Sequence, residues 1–186
     1  MSCCAKNDLL LIIFVPTSKL SIKLEQLDVK HELGAGSFST VKLVTFKDKF
    51  RRQNPFPGTE SFALKLSSKK MLDENKLMDH VKNETNILRE IDHPFIIRYF
   101  HDFEDGDSIY FLLEAVLGDE LYNVLYEEVM FSEQRCRFYA ASVVLAFGEI
   151  HSKKIVYRDL KPENLMLDST GKHNPLTLQV LMAMPK

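Results

Sequence analysis

The chain has 186 residues, 45% hydrophobic and 27% charged, the balance of a soluble globular protein long enough for one domain with a real core. A formal net charge of −2 supplies no basic field and argues against a nucleic-acid partner. Cys3, Cys4 and Cys136 are an odd, unspaced set, which argues against a disulfide framework or a zinc site and fits a reducing, cytoplasmic setting.

Residues 1–26 read as an N-terminal extension. Its apolar run, Leu9 to Val15, is far too short to span a bilayer, so no transmembrane segment is expected. A single Lys6 and the sequence Pro16-Thr17-Ser18 make a poor signal peptide, and Ser2 in place of glycine excludes myristoylation. A strand or helical turn packed on the domain, or a stray leader, accounts for the run more simply.

From Leu27 the pattern is strand-like: Leu27, Val29 and Leu33, then Val41, Leu43, Val44 and Phe46, joined by Gly34-Ala35-Gly36-Ser37 as a glycine-rich hairpin connection. Lys47 to Ser61 is polar and reads as a loop, with Asn54-Pro55-Phe56-Pro57-Gly58 as its turn chemistry. Phe62 to Leu66 is a third strand. Asp73 to Ile91 is predicted as one helix, with Leu77, Val81, Leu88 and Ile91 on one face, Glu84 on that same face, and His93-Pro94 as its stop. Phe95 to Phe103 and Ile109 to Val116 read as two strands around a turn at Glu104 to Asp107, and Gly118 to Tyr126 as a short helix. Ser132 is the expected N-cap of a longer helix with the apolar stripe Cys136, Ala140, Val143, Phe147 and Ile150. Ile155 to Leu167 is irregular and charged, and after Gly171 no element is evident. Strands followed by helices imply an α+β chain with two lobes meeting near Ala115 to Gly118.

Three groups of residues could carry chemistry. Glycines in Leu33 to Val41 let backbone approach a phosphate closely. Ser39 stands where a dinucleotide-binding loop needs its third glycine, and a strand follows instead of a helix, which disfavours that alternative. Lys65 lies inside an apolar strand, where a snorkelling edge lysine is the plain explanation. Glu84 on the buried stripe of a helix is costly unless paired, and Lys65 is the obvious cation, so a buried ion pair or a lysine held for phosphate oxygens are the two readings. In Tyr157-Arg158-Asp159-Leu160-Lys161-Pro162-Glu163-Asn164-Leu165, Asp159 can accept a hydroxyl proton, Lys161 can neutralise a moving phosphoryl group and Asn164 can offer an oxygen to Mg²⁺.

These segments together resemble the AGC group of Ser/Thr protein kinases. YRDLKPEN with Tyr157 is typical of that group; HPFIIRYFHDFED, LLEAVLGDEL and RFYAASVVLAFGEIHSKKIVYRDLKPENLMLD are similar to cGMP-dependent protein kinases, while GAGSFSTV is nearer to phosphoinositide-dependent kinases. The resemblance covers roughly Leu27 to Gly171 and implies a bilobal fold: an antiparallel-sheet N-lobe over residues 27–117, with one key helix, and an incomplete helical C-lobe over 118–171 that carries the catalytic loop. It implies phosphoryl transfer from ATP, with Mg²⁺, to Ser/Thr of protein substrates. Leu33, Gly34, Ala35, Gly36, Ser37, Phe38, Ser39, Thr40 and Val41 would cover the ATP phosphates, with Val41 and Ala63 sandwiching the adenine. Lys65 would bind phosphate oxygens and pair with Glu84. Leu113 would be the gatekeeper, Glu114 and Val116 the adenine-binding hinge, Glu120 the ribose contact, and Met166 a further cofactor-binding residue. Asp159 would be the catalytic base, Lys161 the γ-phosphate contact and Asn164 the metal ligand. Glu163 hints at substrates with basic residues near the Ser/Thr.

Family members continue past Gly171 with a strand and then Asp-Phe-Gly. Counting places Thr177-Leu178-Gln179 there, and no Asp or Glu follows Asp168. Residues 172–186 therefore read as a divergent tail of a kinase domain cut short before that segment. The alternative to transfer is a pseudokinase-like fragment that binds nucleotide or a partner protein. The α-helix beginning at Ser132 is expected to expose an apolar face.

Overall fold

Five segments hydrogen-bond, in the computed structural model, as one antiparallel sheet. The structure describes residues 22–36, 39–53, 60–168 and 178–180. Strands β1 (Leu27–Ala35), β2 (Ser39–Phe46), β3 (Phe62–Ser68), β4 (Tyr99–Glu104) and β5 (Ser108–Glu114) lie in the order β1-β2-β3-β5-β4. β3 is thus the middle strand, and Lys65 stands between Val41 of β2 and Phe111 of β5.

Side chains alternate across a strand, so the two faces of β3 have different fates. Phe62 and Leu64 point into a core with Ile22, Leu27, Val44, Phe46, Phe100 and Leu112. Phe62 meets Phe46 and Phe100 edge-on, with centroids 5.0 and 4.9 Å apart, an arrangement worth about 0.5–1.5 kcal/mol per pair beyond area burial. On the opposite face Ala63 packs with Phe111 and Leu113 against Leu72 and Val81. Lys65, two residues on, shares the face of Ala63.

Helices α1 (Asp48–Gln53), α2 (Lys69–Glu74) and α3 (Met78–Arg89) accompany the sheet. Three expectations are corrected here. The Lys47 to Ser61 segment is not all loop, because Asp48 opens a helix and Phe50 anchors it on Phe46, with ring centroids 4.7 Å apart. The single helix expected over Asp73 to Ile91 is two, broken at Asn75-Lys76-Leu77. Asn75 donates to the Met71 carbonyl through both its main-chain N–H at 3.2 Å and its Nδ2 at 2.8 Å, and Lys76 takes φ 57°, so the helix is closed off and the chain turns. The strand expected from Phe95 begins only at Tyr99. His93 accepts from the main-chain N–H of Phe95 at Nδ1 and from that of Ile96 at its carbonyl, closing a turn instead.

The helical lobe holds α4 (Leu121–Glu128) and α5 (Glu133–Ser152), followed by β6 (Leu165–Leu167) and β7 (Leu178–Val180), which pair antiparallel. Its core joins Leu121, Val124, Tyr139, Ala146, Ile150, Leu165 and Leu167 to Leu88 and Ile91 at the end of α3. Ser132 caps α5, its Oγ accepting from the Arg135 N–H at 3.3 Å. Ser132→Ala is expected to lower stability by about 1 kcal/mol, read as a lower midpoint in urea.

The stripe of α5 is also corrected. Tyr139, Ser142, Ala146 and Ile150 are buried, while Cys136 and Ala140 are exposed. The cause is chemical: the Ser142 hydroxyl donates to the Phe138 carbonyl at 3.0 Å and the Tyr139 hydroxyl accepts from Arg135 Nε at 2.8 Å. Two polar groups are satisfied on the buried side, so residue polarity alone mispicks the row. The helix does expose apolar side chains, but these are Val144 (69%) and Leu145 (56%). No helix among the described residues is long and apolar enough to cross a membrane.

Candidate active site

A cleft of about 550 Å³ lies between the glycine-rich hairpin and the segment that leads into α4. Its size is that of a small-molecule site. Leu33 and Gly34 of β1, Val41 of β2, and Ala63 and Lys65 of β3 line it from the sheet. Leu113, Glu114, Val116, Glu120 and Met166 line it from the connecting segment and β6. Ala35, Gly36, Ser39 and Thr40 belong to the hairpin, closed by a 2.7 Å bond from Gly36 N–H to the Ser39 carbonyl, but lie outside the lining. Ser37 and Phe38 lie outside the described residues, as does the apolar run Leu9 to Val15.

Lys65 is half-buried at the centre of the sheet wall. Val81 and Leu88, which flank Glu84 on α3, are buried as their spacing predicts. The side chain of Glu84 lies outside the described residues, and with it the expected pair to Lys65.

The connecting segment is held to β6. Leu167 N–H donates to the Asp119 carbonyl at 2.8 Å, and Glu120 bridges Met166. The two backbones approach so closely that a Cβ on Gly118 would sit 1.7 Å from the Leu167 carbonyl oxygen. Only glycine fits. Gly118→Ala is expected to force the segment off β6 and cost about 3 kcal/mol, the upper end for overpacking, seen as a lower melting temperature.

Beyond α5 the chain turns through Arg158, whose φ of 65° is rare for a side chain of this size. Such strain persists only where surrounding contacts enforce it. Those contacts centre on the next residue. Lys161 Nζ lies 2.8 and 2.9 Å from the two Asp159 carboxylate oxygens. Asn164, only 2% exposed, donates through Nδ2 to the Asp159 carbonyl at 2.8 Å and to its Oδ2 at 2.9 Å. Asp159, Lys161 and Asn164 are therefore brought together, as their spacing suggests. The amide nitrogen of Asn164 is committed to the loop, which leaves its Oδ1 as a hard oxygen donor suited to a hard cation. Met166 follows Asn164 by two residues and lines the cleft, while Asp159, Lys161 and Asn164 are not among its lining residues.

His31, Leu43, Ile97, Leu117 and Gly118 also line the cleft or its hinge and are missed by sequence reasoning. His31 and Leu43 were open to discovery, since each sits two residues from a predicted lining residue on the same face of its strand. Ile97, Leu117 and Gly118 carry no such local signal. One expectation is also corrected: Leu178–Val180, in the stretch after Gly171 where no element was evident, is a strand paired to β6.

The protein kinase domain family matches residues 27–180. A cGMP-dependent protein kinase of Eimeria tenella is 40% identical over 150 residues, 81% of this chain and 14% of that protein. A RAC family serine/threonine-protein kinase homolog of Dictyostelium discoideum is 36% identical over 156 residues, 84% of this chain and 33% of that protein. Serine/threonine-protein kinase Sgk1 of Danio rerio is 38% identical over 157 residues, 84% of this chain and 34% of that protein. The chain thus spans between 14% and 34% of the length of these relatives.

Proposed function

The chain belongs to the protein kinase domain family, and from that premise we propose that it transfers the γ-phosphoryl group of ATP to serine or threonine hydroxyls of protein substrates. One observation carries the reading: Asp159, Lys161 and Asn164 are hydrogen-bonded as one unit two residues before Met166, which lines a cleft walled by Gly34, Val41, Ala63 and Lys65. The substrate hydroxyl oxygen attacks the γ-phosphorus, its proton passes to Asp159, and ADP leaves. Lys65, on the sheet wall, meets phosphate oxygens; Val41, Ala63 and Met166 enclose the adenine; Glu114 and Val116 offer it backbone partners, and Glu120 the ribose. Phosphoryl transfer depends mainly on positioning and charge, and these are the groups it requires.

Kinases use a divalent cation with ATP. Asn164 Oδ1 fits it chemically, and we take the ion to be Mg²⁺. Glu163 beside the catalytic loop supports substrates with basic residues near the target hydroxyl. The sparse cysteines support a cytoplasmic site of action. Transfer is preferred to the pseudokinase-like alternative because the relatives are all named as kinases.

The test is a melting-temperature shift with Mg-ATP, followed by phosphate transfer to a peptide with Ser or Thr flanked by arginines. A shift with transfer is expected. No shift, with a cooperative melt, overturns nucleotide binding; a shift without transfer restores the binding-module alternative.

A further inference from the structure

The C-terminal end of α3, the helix that carries Glu84, is tied to β4 by a closed polar triangle. Arg89 donates through Nη2 to Asp102 Oδ1 and through Nε to the Tyr99 hydroxyl at 3.3 Å, and Tyr99 in turn donates to Asp102 Oδ1. The guanidinium carbon also lies 5.8 Å from the centre of the Tyr99 ring. The phenol both accepts and donates within the triangle, so removing the hydroxyl breaks two of its three bonds.

Tyr99 occupies a singular place. Among the described residues it alone packs against both the helical-lobe core around Leu88 and Ile91 and the sheet-face core around Ala63, Val81 and Leu113. It also stands opposite Leu113, a lining residue of the cleft, in the β4–β5 register. A shift of the Tyr99 ring is therefore felt at α3, at the cleft wall and at the junction of the lobes. Burial alone would raise the Asp102 carboxyl, but hydrogen bonds from Tyr99 and Arg89 and the Arg89 charge outweigh it and hold the group below its ordinary range. It stays ionised at neutral pH, as the triangle requires.

We propose that Arg89, Tyr99 and Asp102 form a polar latch that fixes α3 against β4 and thereby positions the helix bearing Glu84, together with Leu113, for the nucleotide. These are positioning residues and touch neither substrate nor cofactor. The nucleotide part of the inference rests on the phosphoryl-transfer reading; the latch itself does not.

Hydrogen exchange of the full chain without nucleotide tests the latch directly. Tyr99→Phe keeps the ring and both apolar contacts but removes the hydroxyl. It is expected to speed exchange at the amides of α3 about tenfold, the scale of one hydrogen bond to a charged group, while those of α5 stay at parental rates. The reversed pair Arg89→Asp with Asp102→Arg is expected to restore slow exchange relative to Asp102→Arg alone. Arg137→Gln, which breaks a surface pair on α5 with Glu133, serves as the control and leaves α3 unchanged. Unchanged exchange at α3 in Tyr99→Phe, equal acceleration in α5, or no rescue by the reversed pair each overturns the latch. ATP titration gives the second readout: Tyr99→Phe is expected to weaken apparent ATP affinity several-fold relative to Arg137→Gln, and equal affinities overturn the coupling to the nucleotide. A parental chain that does not respond to ATP overturns the coupling together with the phosphoryl-transfer reading, and exchange at α3 still decides the latch.

Discussion

Replacing Asp159 with asparagine is expected to reduce phosphoryl transfer by about 10²–10⁴-fold, the range for loss of a general base, while the ATP-dependent melting shift persists. The geometry explains why asparagine is the informative choice. Asp159 accepts from Lys161 at 2.8 and 2.9 Å and from Asn164 at 2.9 Å. An asparagine oxygen in the place of Oδ2 still accepts from Lys161 and Asn164, only the Oδ1 contact with Lys161 is lost, and the bond from Asn164 to the main-chain carbonyl at residue 159 is untouched. The loop therefore keeps most of its hydrogen bonds and loses the carboxylate proposed to take the proton. Asp159→Ala removes the acceptor as well, leaving Lys161 without this partner and the buried Asn164 amide short of one bond, so its melting temperature should fall further than that of Asp159→Asn. A single-turnover assay with a basic Ser/Thr peptide reads the first effect, and a thermal melt the second. Transfer by Asp159→Asn at the parental rate would remove Asp159 from the chemistry.

Lys65→Met is expected to weaken ATP binding by about 10–100-fold. The loss corresponds to about 1.5–3 kcal/mol for a hydrogen bond to a charged group. Lys65 lies between Val41 and Phe111 in register, beside Ala63 on the wall of the cleft, so an unbranched apolar side chain of similar length suits its surroundings. Isothermal titration with Mg-ATP measures the effect. Binding as tight as the parent would place the phosphates away from the sheet wall, and with them the whole orientation of the nucleotide.

Much of the site was legible because it is written in short-range chemistry. A strand alternates by two, so Phe62 to Leu66 declares one face apolar and puts Lys65 beside Ala63 on the other. The loop from Asp159 to Asn164 packs its carboxylate, cation and amide within six residues, so their meeting is a matter of short-range contacts. The cap at Ser132 needs only its own first turn. The two-lobed α+β layout follows from strands preceding helices.

Other features needed the fold. Two close backbones make Gly118 obligatory, and its partner Leu167 is almost fifty residues away in the chain. Arg158 adopts its positive φ immediately before the hydrogen bonds that close around Asp159. The buried row of α5 turns toward Ser142 because a helical hydroxyl can satisfy itself on its own backbone, which frees packing to choose the row. The latch of Arg89, Tyr99 and Asp102 joins a helix end to a strand. Local periodicity sets which elements form and which loop gathers Asp159, Lys161 and Asn164; contacts between distant segments set how closely those elements approach, and the cleft exists only at that second level.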